Sequence, residues 1–169
     1  MDLAPYYGWF VLIHVLAAFA FIAAHGISMG VFFALRRETD RAKLAVLVEH
    51  SGRSIGALYI TFLILLAAGI LAGIVGGWFT NGQLWLWAAI VVLVVIVGAM
   101  YGFMTTSYVT LRRALGVQSP QDIKKGLVAE PASDEELAIL LASPRPTWGA
   151  IIGIAGLAVV IWLMEMKPF

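Results

Sequence analysis

The chain is 169 residues long, 62% apolar and only 12% charged, where soluble domains run at roughly 45–50% and about a quarter. So few charges cannot cover the surface of a water-soluble domain of this size, and that class is excluded. The chain holds no cysteine, which excludes disulfides, Cys-ligated zinc, iron–sulfur clusters and redox dithiols.

Crossing a hydrocarbon core takes about 20 apolar residues, and backbone amides in lipid must be satisfied within their own segment, which makes each crossing a helix. The first such run covers about 8–35 and is broken only by His14 and His25. Asp2 stands where a secretory leader carries positive charge, so this run reads as a span and not as a signal peptide. The connection 36–54 follows. In it Thr39 is the expected N-cap of a helix with Asp40 in its first turn and Leu44, Leu47 and Val48 on its apolar face. That helix points straight into span two, about 55–78, with Gly52 and Gly56 as expected bends. An uncharged turn leads to span three, about 84–111.

The connection 112–147 predicts two short helices. Ser119-Pro120 opens the first, with proline at the first helical position. Ser133 and Glu136 form a capping box for the second, whose apolar residues are Leu137, Ile139, Leu140 and Leu141. Pro144 and Pro146 end it and lead into span four, about 148–164. The expected fold is an all-α integral membrane four-helix bundle, a single transmembrane domain over 1–169.

Orientation follows from the basic residues. Arg36, Arg37, Arg41, Lys43 and Arg53 lie in the first connection, and Arg112, Arg113, Lys124, Lys125 and Arg145 in the second. Ten of the eleven basic residues therefore share one side, which the positive-inside bias makes cytoplasmic, with both termini outside, in a plasma (inner) membrane. Tyr6, Tyr7, Trp9, Trp78, Trp85, Trp87 and Trp162 fall near the outer boundary, where amphipathic rings settle. Small residues four apart occur on every span, at Gly26/Gly30, Gly69/Gly73, Gly98/Gly102 and Gly149/Gly153, which predicts close helix packing. A faint echo links the hairpins: His25-Gly26 leads to Leu35-Arg36-Arg37 as Tyr101-Gly102 leads to Leu111-Arg112-Arg113.

The spans contain no Asp, Glu, Lys or Arg, whereas carriers, pumps and voltage sensors place such groups at depth. No catalytic arrangement, phosphate-binding loop or nucleic-acid motif is present, so nucleic acid is not an expected partner. Histidine remains. His14 and His25 are eleven residues apart, about 16 Å along the helix and nearly on one face, and neutral imidazole is a common haem and metal ligand. Counting inward from the outer edge puts Met100 and Met104 near the depth of His25, with Met29 one turn from His25 on its own helix. His25 with Met100, Met104 or, from the inner surface, His50 would complete one b-type haem site; His25, Met29 and Met104 would suit cuprous copper. Three histidines cannot build two bis-imidazole sites. Against the cofactor reading stands an accessory or scaffold subunit, with the lipid bilayer and a membrane protein or a second copy as partners.

The runs His14-Val-Leu-Ala-Ala-Phe, His25-Gly-Ile-Ser-Met-Gly and Leu35-Arg36-Arg37-Glu38, with Pro144-Arg-Pro before the last span and Lys167-Pro-Phe169 closing the chain, resemble a family of small bacterial four-span membrane proteins. That family is distantly similar to copper-resistance membrane proteins of the CopD type and to HemJ-type membrane protoporphyrinogen oxidases. The resemblance implies a histidine-bearing first helix that binds copper or haem b, and it falls here on His14 and His25. The lysine and the Trp-Phe-Ala-Gly-Leu-type run of the HemJ pattern are absent.

Overall fold

The computed structural model describes residues 2–80 and 82–169. A 3₁₀ turn, Ala4–Tyr6, opens into α1 (Tyr7–Leu35), followed by α2 (Arg41–Val75) and α3 (Leu84–Met100). A π-helical turn, Tyr101–Thr105, joins α3 without a break to α4 (Thr106–Ala114); α5 (Pro120–Lys124), α6 (Asp134–Leu141) and α7 (Arg145–Met166) complete the chain. No strand occurs among the described residues. Among the described residues four stretches are long and apolar enough to cross a membrane, and the chain is an all-α membrane four-helix bundle.

The helix ends follow local chemistry. α2 has 35 residues and so spans about 52 Å, well beyond a hydrocarbon core of about 30 Å; its first turns project from the arginine-rich side. The expected cap is displaced by one residue. Asp40, not Thr39, caps α2, because its extended backbone (φ −79°, ψ 116°) brings its carboxylate to the amides of both Ala42 and Lys43. Gly52 and Gly56 lie inside the unbroken α2. It ends at Val75, short of the expected 78, where Gly77 turns the chain at φ 69°. Ser133 and Glu136 form the expected capping box on α6. α7 starts at Arg145, ahead of Trp148, because Pro146 fits its first turn.

Within the membrane α1 lies along α2, and α3 lies along α7. Only part of the expected glycine packing is intramolecular. A Cβ at Gly69 or Gly73 of α2 would strike His14 or Phe79, and one at Gly149 or Gly153 of α7 would meet Met104 or His25. Gly26 and Gly30 of α1, and Gly98 and Gly102 of α3, face open space. The same four-residue spacing thus serves contact within the chain on two helices and leaves the other two bare.

Cohesion concentrates at the two ends. On the arginine-rich side Val31, Leu35, Leu44, Val48, Leu111, Ala114 and Leu137 form one buried cluster drawn from α1, α2, α4 and α6. At the other end the Lys167 ammonium lies over the rings of Trp78 and Trp85, at 5.4 and 5.6 Å. The Trp85 amide donates to the Phe169 carbonyl, which ties the last residues to the start of α3.

Candidate functional site

Both buried-span histidines are oriented by packing. His14 on α1 donates from Nδ1 to the Leu65 carbonyl of α2 at 2.8 Å. Gly69 makes room for the ring, since a Cβ there would lie 2.8 Å from it. His14 is therefore an inter-helix tie within the α1–α2 pair. Ser28 and Ser54 tie the same pair nearer the arginine-rich end at 2.8 Å. Ser54 gives its own proton to the Ser51 carbonyl, so Ser28 is the donor between them.

His25 points the other way, across the seam between the two helix pairs. Its ring stacks on Phe21 at 6.1 Å, and its Nε2 lies 3.1 Å from the position a Cβ on Gly153 would take. One helical turn along the same face of α7, the Met104 Sδ fills the hollow over Gly149. Met104 is carried by the π turn Tyr101–Thr105, a local widening often found at functional sites. The two absent Cβ atoms of α7 thus admit an imidazole from one helix pair and a thioether from the other.

None of the remaining candidates is among the atoms nearest to Gly149 or Gly153. Met29 and Met100 are half-buried on α1 and α3. His50 is exposed on α2, in the turn that precedes Ser54, and Ser54 is itself level with Ser28. That puts His50 roughly 10 Å further toward the arginine-rich side than His25. Among the described residues no cluster of three or more His, Asp or Glu side chains is arranged to hold a metal ion.

The α7 backbone closes over Nε2 at Gly153, so a macrocycle on that nitrogen would have to part the two helix pairs. A single ion needs no such opening, and an imidazole with a thioether is a donor set suited to cuprous copper.

As sequence, the arginines of the arginine-rich end signal only topology; in the fold they make specific contacts. Arg36 reaches from the end of α1 to the Thr147 hydroxyl at 2.8 Å and to the Ser143 carbonyl. Arg112 is buried, donating to the Tyr108 hydroxyl at 3.1 Å and the Gln118 carbonyl at 2.8 Å. Tyr108 in turn donates to the Val48 carbonyl of α2. The echoed Leu-Arg-Arg sequences thus behave alike: Leu35 and Leu111 enter one core, and the first arginine of each folds back onto a carbonyl. That repetition was the available signal.

Asp122 completes this end. The Arg113 guanidinium at 2.6 Å, then the hydroxyl and amide of Ser119, hold its carboxyl far below the usual carboxylate range. Glu38 is also held down, by the amides of Asp40 and Thr39.

No family model, characterised protein or solved structure matches this chain.

Proposed function

We propose that the protein is an accessory, scaffold-type subunit of a plasma-membrane assembly, with its arginine-rich end in the cytoplasm and no catalytic centre of its own. One observation carries this reading: the glycine pairs of α2 and α7 are filled from within the chain, while Gly26/Gly30 and Gly98/Gly102 meet nothing within 4 Å. Bare glycines let a second helix approach closely, and close backbone approach drives helix association where lipid offers no hydrophobic gain. The occupant is a transmembrane helix of a partner protein or of a second copy.

The chain's lack of cysteine allows single-cysteine variants. Gly30→Cys and Gly102→Cys should form bismaleimide adducts with a second polypeptide in native membranes, while Leu63→Cys and Ile154→Cys, on ordinary lipid-facing positions, should not. Adducts at all four sites, or at none, count against the scaffold reading.

A second reading rests on the His25–Met104 pair over Gly153 and Gly149: one cuprous ion held across the seam, with Met29 in reach of the same face of α1. Purified protein from copper-replete cells would then carry about one copper per chain by elemental analysis, and His25→Ala would lose it. Metal-free wild-type protein removes this reading and leaves the first intact.

A further inference from the structure

A groove of about 690 Å³ opens where the end of α1 meets α6 and the start of α7. Its floor is apolar, made by Leu141, Trp148 and Ile151, and its rim carries Arg36, Glu38 and Thr147. Trp148 and Ile151 are 56% and 50% exposed, so the floor is open. The groove's depth follows from helix length: α1 has 29 residues, about 43 Å, which matches a bilayer measured through its headgroup regions at about 40–45 Å. Arg36, the residue that closes α1, therefore stands at headgroup level, and Ile151 lies a turn of α7 deeper.

The rim carries charges of both signs, and these are not paired with each other. Among the described residues no carboxylate pairs with Arg36, and its Nε is buried without a partner. Of the five N–H donors a guanidinium offers, the structure uses one on each Nη, toward Thr147 and Ser143. One donor on each Nη is left for an anion such as a phosphate. Glu38 uses Oε1 on the amides of Thr39 and Asp40. Its Oε2 has only the exposed Lys43 ammonium, at 4.0 Å.

We infer that this groove binds one phospholipid of the arginine-rich leaflet, specifically one with an amine in its headgroup. The phosphate sits on the Arg36 guanidinium, the amine on the Glu38 carboxylate, and the start of an acyl chain runs over Trp148 and Ile151. A cation and an anion two residues apart match a zwitterionic headgroup, whereas a purely anionic headgroup would meet Glu38 as a like charge. An interfacial tryptophan over an apolar floor suits the glycerol region, where one side of the ligand is wet and the other is not.

The test uses the full chain in nanodiscs of equal phosphatidylethanolamine and phosphatidylglycerol, with retained lipid counted by native mass spectrometry. Wild-type protein should keep one phosphatidylethanolamine in several-fold preference. Ala138 on the exposed side of α6 and Ala142, just past its end, line the groove, so Ala138→Trp, or Ala142→Trp where the first variant folds poorly, fills it. Either should cut retention about tenfold with the melting temperature unchanged. Glu38→Gln should keep a lipid bound and abolish the preference between headgroups. Retention that survives the tryptophan variants, or a preference for phosphatidylglycerol, overturns the assignment.

Discussion

At the arginine-rich end Leu35 and Leu44 are 1% exposed and Val48 not at all, whereas midway along α2 Ile60 and Leu63 are 61% and 64% exposed. Both regions are apolar and helical, and they are stabilised differently. Outside the hydrocarbon, burying a leucine removes it from water and contributes about 1.5–3 kcal/mol. Inside it, lipid covers a leucine as well as another helix does, so burial gains little and the specific ties do more: His14 to Leu65, Ser28 to Ser54, side chains seated on glycines. The arginine-rich end therefore holds the helices in register, and the middle of the spans is left free to present open faces.

The sharpest way to break this comparison is to make the same truncation in both regions. Leu35→Ala should cost about 2–4 kcal/mol, since it opens a cavity in the buried cluster, while Leu63→Ala should change stability by less than about 0.5 kcal/mol. Denaturant titration of both variants in one detergent reads the difference. Equal losses would mean that the membrane middle is as tightly packed as the end.

Acid should act on the same contrast. Asp122 has a folded-state pKa below its unfolded value, so the stability it contributes is fully present above about pH 4 and is lost as pH falls through the folded value. Asp122→Asn removes that contribution at every pH. The melting gap between wild type and Asp122→Asn should therefore be constant from about pH 8 to 5 and narrow progressively below about pH 4. The uncharged spans add nothing to this window, so a gap that instead opens on acidification would assign the acid response elsewhere.

The fold was legible where its determinants are local. Charge-free runs placed the spans, and Ser133 with Glu136 announced the cap of α6. Thr39 and Asp40 were confused because either side chain can cap, and only the backbone angles at Asp40 decide. Pairing of the helices was not legible, because all four carry the same glycine spacing and nothing in one sequence says which glycines receive a side chain. The depth count that set Met104 near His25 agrees with their adjacent turns on α7, yet the π turn that carries Met104 has no sequence signature here. As sequence, Arg36 and Arg112 mark only the side on which the basic residues gather; in the fold Arg36 joins segments more than a hundred residues apart, and Arg112 ties the end of α4 to Gln118.

The smallest expected effect lies at the aromatic end, where Lys167 has two opposed roles. Its ammonium over Trp78 and Trp85 contributes about 0.5–1 kcal/mol. Its backbone, however, is left-handed at φ 44°, a conformation that costs a side-chain-bearing residue roughly 1 kcal/mol and glycine almost nothing. Lys167→Ala loses the cation and keeps the strain, so it should destabilise by about 1 kcal/mol. Lys167→Gly loses the cation and the strain together, so it should melt close to wild type. Tryptophan emission separates the two contributions, since both variants should change it equally while only Lys167→Ala lowers the melting temperature. If the two variants melt together, the left-handed backbone carries no cost, and this end is as loosely held as the middle of the spans.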